Sequence, residues 1–127
     1  MLVTCASSQV AVIANLSVPL GKIEKSELLD LYTGDISFWN DGEPIVIFDL
    51  KQRGKVRDSF YNYLGKSSHR IKSIWMKRML SGDADPPEFL DSEEEMLKKV
   101  ASIPGAIGFV SLSKISDQVK TLLVISQ

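Results

Sequence analysis

The segment Lys51-Gln52-Arg53-Gly54-Lys55-Val56-Arg57 gathers four cationic side chains around one glycine. Val56, Phe60, Tyr63 and Leu64 follow at i, i+4, i+7 and i+8, so the spacing predicts a helix that starts near Gly54 and ends at Gly65. A helix start directs unpaired N–H groups and partial positive charge outward, which suits an anion. Cations at such a start oppose the helix dipole, and their placement becomes favourable once an anion sits among them. Lys51, Arg53, Gly54, Lys55 and Arg57 are therefore the candidate oxyanion-binding residues.

Other chemistries find less support. His69, in Ser67-Ser68-His69-Arg70, has no Gly-x-Ser-x-Gly elbow to serve, and Cys5 stands alone near the amino terminus. One cysteine and one histidine supply no zinc or iron–sulfur ligand set. Neither a P-loop nor Gly-x-Gly-x-x-Gly occurs, so no cofactor and no enzymatic activity are expected. Asp83, Asp85 and Glu88 lack the spacing of a calcium loop and read as a solvated acidic segment.

The elements that must hold the candidate site read as alternating strands and helices. Val10-Ala11-Val12-Ile13-Ala14 and Ile45-Val46-Ile47-Phe48 are apolar, β-branched runs of the kind buried on both faces. A short helix is predicted from about Glu24 to Tyr32, stopped by Thr33-Gly34, and turn chemistry follows at Trp39-Asn40-Asp41-Gly42. A third helix, after the one at Gly54, spans about Ser68 to Leu80 with Ile71, Ile74, Trp75 and Met79 facing inward and Gly82 ending it. Asp83 to Leu90, with Pro86-Pro87, reads as an irregular loop. Ser92-Glu93-Glu94-Glu95 opens a fourth helix, to about Ile103, with the pattern of a capping box. Ala106-Ile107-Gly108-Phe109-Val110 and Thr121-Leu122-Leu123-Val124-Ile125 close the chain as strands. This interleaving indicates an α/β fold, a sheet with helices on its faces.

At 127 residues, 44% hydrophobic and 24% charged, the chain has the size and balance of one globular domain with its own core. No apolar stretch reaches the roughly 20 residues of a membrane-spanning helix. The net charge of −1 hides strong segregation: residues 22–49 hold two Lys against seven acids, residues 51–78 nine Lys/Arg against Asp58 alone, and residues 83–95 seven acids and no base. The basic block, with Tyr61, Tyr63 and Trp75 interleaved, is the pattern of a polyanion surface. Phe60, Tyr63 and Trp75 fall on apolar stripes, however, and read as core, so nucleic acid is not an expected partner. Complementary acidic and basic segments also suit pairing with a second copy or another protein.

Residues 1–9 read as the tail of an export signal or as an unstructured start, and residues 10–127 as the single domain. Leu2-Val3-Thr4-Cys5 is a loose match to a lipoprotein box in which Thr4 is unfavourable. A periplasmic or exported location is the corresponding expectation.

Val12-Ile13-Ala14-Asn15, Leu28-Leu29-Asp30-Leu31-Tyr32-Thr33-Gly34-Asp35-Ile36 with Trp39 and Asn40, and Ile45-Val46-Ile47 together resemble the periplasmic phosphate-binding proteins of ABC transporters. Phe60 to Leu64 resembles the helix after that strand, and Pro104-Gly105-Ala106-Ile107-Gly108-Phe109-Val110 is similar to the family's Pro-Gly-Ala-Ile-Gly-Tyr segment. The resemblance runs in order over about residues 10–113. It implies one lobe of a type II periplasmic-binding-protein-like fold, a mixed sheet flanked by helices, that binds phosphate and catalyses nothing. Two departures qualify it. The family closes two lobes around its anion, where this chain reads as one. The family's Ser-Gly-Thr triplet is replaced by Arg53-Gly54-Lys55, so the hydroxyl ligands do not carry over.

Overall fold

The computed structural model describes residues 9–82 and 86–126. Five strands form one sheet: β1 (Val10–Ala14), β2 (Val46–Leu50), β3 (Glu88–Leu90), β4 (Ala106–Ser111) and β5 (Lys120–Ile125), in the spatial order β3-β2-β4-β1-β5. β2 runs parallel to β3 and β4, whereas β1 runs antiparallel to both β4 and β5, so the sheet is mixed. Four α-helices cover it: α1 (Lys25–Tyr32), α2 (Lys55–Leu64), α3 (Ser68–Ser81) and α4 (Glu93–Ser102).

Two adjacent residues of β4 fix the layering, because neighbouring side chains on a strand point to opposite faces. A Cβ at Gly108 would come within 2.4 Å of the Met96 sulfur and 3.3 Å of Val100, so α4 lies close on that face and needs glycine there. Phe109, on the other face, stacks on Phe60 of α2 at 3.9 Å with the rings nearly parallel. Tyr32 of α1 meets Phe60 edge-on at 4.8 Å, and its hydroxyl donates to the Phe48 carbonyl at 2.9 Å. α3 joins this layer through Trp75, whose indole N–H donates to the Tyr32 carbonyl at 2.7 Å. The result is helix, sheet, helix, with β1 and β4 almost completely buried between.

The architecture agrees with the single-lobe α/β expectation, with local corrections. The segment before α4 is not irregular throughout: Glu88–Leu90 pairs in parallel with Phe48–Leu50 as an edge strand, a tertiary pairing that three residues after a Pro pair do not advertise. β2 extends two residues beyond Phe48, so Asp49 lies inside the strand and is buried. Met79 is 53% exposed and Ile74 only half-buried, because α3 packs on a narrow stripe centred on Ile71 and Trp75. Residues 1–8, including Cys5 and the export-signal reading, and Asp83 and Asp85 lie outside the described residues.

Candidate functional site

The parallel register of β2 and β3 brings two helix starts to one edge of the sheet. Phe48, Asp49 and Leu50 stand opposite Glu88, Phe89 and Leu90, and the Lys51 amide continues the ladder by donating to the Leu90 carbonyl at 2.8 Å. Each strand then leads into a helix, β2 through residues 51–54 into α2 and β3 through Asp91-Ser92 into α4. Ligands of open α/β sheets bind at this edge, at the carboxyl ends of the parallel strands. A cleft of about 230 Å³ opens here, with Arg53, Gly54, Lys55 and Arg57 on one side and Asp91, Ser92 and Glu93 on the other.

The five residues singled out in the sequence divide by what they touch. Arg53, Gly54 and Lys55 are exposed and line the cleft. Gly54 is the N-cap of α2, with an extended backbone, and a Cβ there would meet nothing; its smallness leaves the cleft mouth open rather than relieving a clash. Among the described residues no side chain caps the α2 N-terminus. The first helical N–H groups, from Lys55 to Arg57, thus lack the side-chain acceptor that a Ser, Thr, Asp or Asn N-cap would supply. Lys51 does not line the cleft; its Nζ lies 3.9 Å from Asp91, and both side chains are exposed, so the pair has small energetic weight. Arg57 turns inward: its Nε lies 3.5 Å from Asp49 Oδ1, and its guanidinium stacks over the Tyr61 ring at 5.0 Å.

Asp49 is the residue that sequence reasoning missed. Its carboxylate is 2% exposed and has three neighbours: the Leu50 amide donates to Oδ1 at 2.7 Å, Arg57 approaches the same oxygen, and the Tyr61 hydroxyl donates to Oδ2. Burial pushes its pKa above the usual 3.8, against the hydrogen bond from Tyr61, the charge of Arg57 and the Leu50 amide, which pull it down. Burial, and then the Asp49 charge, push the Tyr61 hydroxyl far above its ordinary range, so it stays a donor. One signal was legible in advance: Arg57 and Tyr61 are i and i+4 on one helix, one turn apart, and can jointly face a group beneath it.

The opposite wall was not anticipated either. Ser92 caps α4 by accepting from the Glu95 amide at 3.1 Å, and Glu95 reaches back to the Asp91 amide at 2.9 Å. Glu93 accepts from the Ser111 amide at 2.5 Å. α4 therefore meets its free N–H groups and its dipole with its own oxygens and acids.

The remaining candidates are dispersed. His69 is exposed in the first turn of α3. Among the described residues no three His, Cys, Asp or Glu side chains gather as a metal site, and no helix is long and apolar enough to cross a membrane. Phe60, Tyr61 and Trp75 are buried and Tyr63 half-buried, so these rings of the basic block are not free for stacking on a polyanion.

No family model and no curated protein matches the sequence. Solved structures do match. A Clostridium perfringens protein ascribed to a phosphate ABC transporter, solved with bound phosphate, superposes with a TM-score of 0.74 at 21% identity over 89% of this chain and 43% of its own. An ABC-type phosphate transport receptor from Vibrio cholerae gives 0.71 at 20% identity, covering 89% and 44%. PstS from Borrelia burgdorferi gives 0.67 at 15% identity, covering 89% and 46%. The chain spans less than half the length of these structures and has the fold of one periplasmic-binding-protein-like lobe.

Proposed function

We propose that this lobe is a non-enzymatic, substrate-binding-protein-like module that binds phosphate or a similar oxyanion at the amino end of α2. The observation that carries this reading is the uncapped α2 N-terminus, opening into a cleft between the exposed Arg53 and Lys55. An anion there would accept from the free amides and offset the two cations, replacing the side-chain cap that the helix lacks. The Arg57 guanidinium stays with Asp49, and the residue contributes to the site through its backbone N–H and the charge of its side chain. The fold shared with phosphate-transport receptors supports the ligand class.

Binding by this lobe alone, through amides and two exposed cations, is expected to be weak and salt-sensitive. Titration with phosphate and with sulfate, followed by backbone amide NMR, is the direct test. The expected result is saturable movement of the Lys55, Val56 and Arg57 amides, absent in Gly54→Asp, where the new carboxylate occupies the same donors. Unmoved amides at tens of millimolar phosphate would overturn the reading. The same proposal has the protein working outside the cytoplasmic membrane, as residues 1–9 lead one to expect; a reporter fused to the full gene product and active only after export checks it.

A further inference from the structure

Exposed apolar side chains gather at one junction whose residues do not line the α2 cleft. Among the described residues nine large hydrophobic side chains are exposed, and five of them, Ile36, Phe38, Met76, Met79 and Leu80, flank a single junction. That junction is where the last turns of α3 meet the end of α1. Arg78 donates from Nε to the Thr33 carbonyl at 2.7 Å and pairs through its guanidinium with Asp35. Gly34, in the left-handed region at φ +81°, lets the helix come this close: a Cβ would sit 2.8 Å from the Arg78 Nε. On one side of the junction, Ile36 and Phe38 form the lip of an apolar groove of about 200 Å³ floored by Ile23 and Leu31. On the other side Met76, Met79 and Leu80 form a ridge, with Leu80 88% exposed.

The two sides also differ in charge. The groove side carries exposed Glu24, Glu27 and Asp41 beside Lys22 and Lys25, with Asp35 already paired to Arg78, and Glu27 lines the groove itself. α3 carries Arg70, Lys72 and Lys77 besides the paired Arg78, and no acid. A ridge and a groove of opposite charge, held side by side by Arg78, are self-complementary under a two-fold rotation. The ridge of each copy then enters the groove of the other, and the contact closes on itself. Patches of clustered exposed apolar residues rimmed by charge mark interaction surfaces on soluble proteins.

We propose that this face binds a second copy of the same chain, Met76 and Leu80 of one protomer seating against Ile36 and Phe38 of its partner, with the Lys72–Lys77 side of α3 facing Glu27. The contact leaves the α2 cleft open, so it does not depend on the anion reading.

Sedimentation of the full chain over a wide concentration range, at low and high salt, is the test. The expected result is a concentration-dependent dimer that salt weakens. Leu80→Asp and Phe38→Asp each weaken it at least tenfold while leaving the circular dichroism spectrum unchanged, since both side chains lie at the surface. Lys77→Glu weakens it as well, and Glu27→Lys added to Lys77→Glu restores it, a rescue that mere surface disruption would not give. A wild-type chain that is monomeric at every concentration overturns the proposal. So does a dimer indifferent to Leu80→Asp and Phe38→Asp but broken by Val124→Lys, which would assign the contact to the exposed edge strand β5.

Discussion

The amino ends of α2 and α4 face each other across one cleft and dispose of their free N–H groups in opposite ways. α4 carries its own solution: Ser92 accepts from Glu95, Glu95 returns to the Asp91 amide, and three acids occupy the first turn. α2 begins at a glycine with no side-chain cap, and cations flank it. Beneath α2 sits a buried carboxylate, Asp49, where the first turn of α4 holds only its exposed or half-buried acids. The contrast teaches that two helix starts at one sheet edge can be finished differently. One is closed by its own side chains; the other has no side-chain cap and has its electrostatics set from below by a buried carboxylate.

The sharpest way to break the comparison is to remove the support under α2. Tyr61→Phe deletes the hydroxyl that donates to the buried Asp49 carboxylate and is expected to cost about 2 kcal/mol at neutral pH, the range for hydrogen bonds to charged groups. Urea denaturation at neutral and at acidic pH checks it, and the loss should shrink in acid as Asp49 takes up a proton. The linkage sign is definite. Because the native pKa of Asp49 is raised above 3.8, the folded chain keeps the Asp49 proton to a higher pH than the unfolded chain does. Asp49 therefore favours the folded state most at low pH, and its contribution declines as pH climbs upward from 3.8. In Asp49→Asn that part of the decline should vanish from the stability–pH profile.

The next effect in size concerns the ligand. Phosphate at ten times its dissociation constant should stabilise the wild type by about 1.4 kcal/mol. In Gly54→Asp thermal unfolding should no longer respond to phosphate, and in Arg53→Ala/Lys55→Ala the response should be reduced. An equal response in all three would separate the ligand from the α2 start.

On the other side of the cleft, Ser92→Ala should cost about 1 kcal/mol, the usual value of a lost Ser cap, in chemical denaturation. The smallest expected effect is the converse experiment. Gly54→Ser supplies the cap that α2 lacks and should add a few tenths of a kcal/mol, because the backbone there is already extended and the new side chain meets no neighbour. If Ser92→Ala were silent, or Gly54→Ser as disruptive as a core change, the two helix starts would not differ in the way described.

Much of the fold was legible because its signals are local. Each predicted helix and the four longer strands exist in the structure within a few residues of their expected bounds, and Ser92 caps where its spacing said it would. The readings that changed depended on neighbours distant in sequence. Met79 sits on an apolar spacing yet faces outward, since a helix stripe shows which residues can share a face and not how wide the partner beneath it is. Glu88–Leu90 is too short and too polar to be read as a strand without the edge of β2 beside it.

The candidate site divides in the same way. Gly54 between Arg53 and Lys55, at a helix start after a buried strand, follows from composition and period alone, and the structure places all three along the cleft. The inward turn of Arg57 and the acidic wall opposite did not follow. Both rest on the extension of β2 through Asp49 and on the parallel pairing with β3 that carries Asp91-Ser92-Glu93 to the same edge. Periodicity, caps and turn residues act over one or two turns of chain, so the amino-acid order by itself determined the helices, the longer strands and the cationic glycine loop. Which charges that loop keeps free and which it loses to a buried carboxylate depends on burial and through-space distance, and only the assembled sheet decides those.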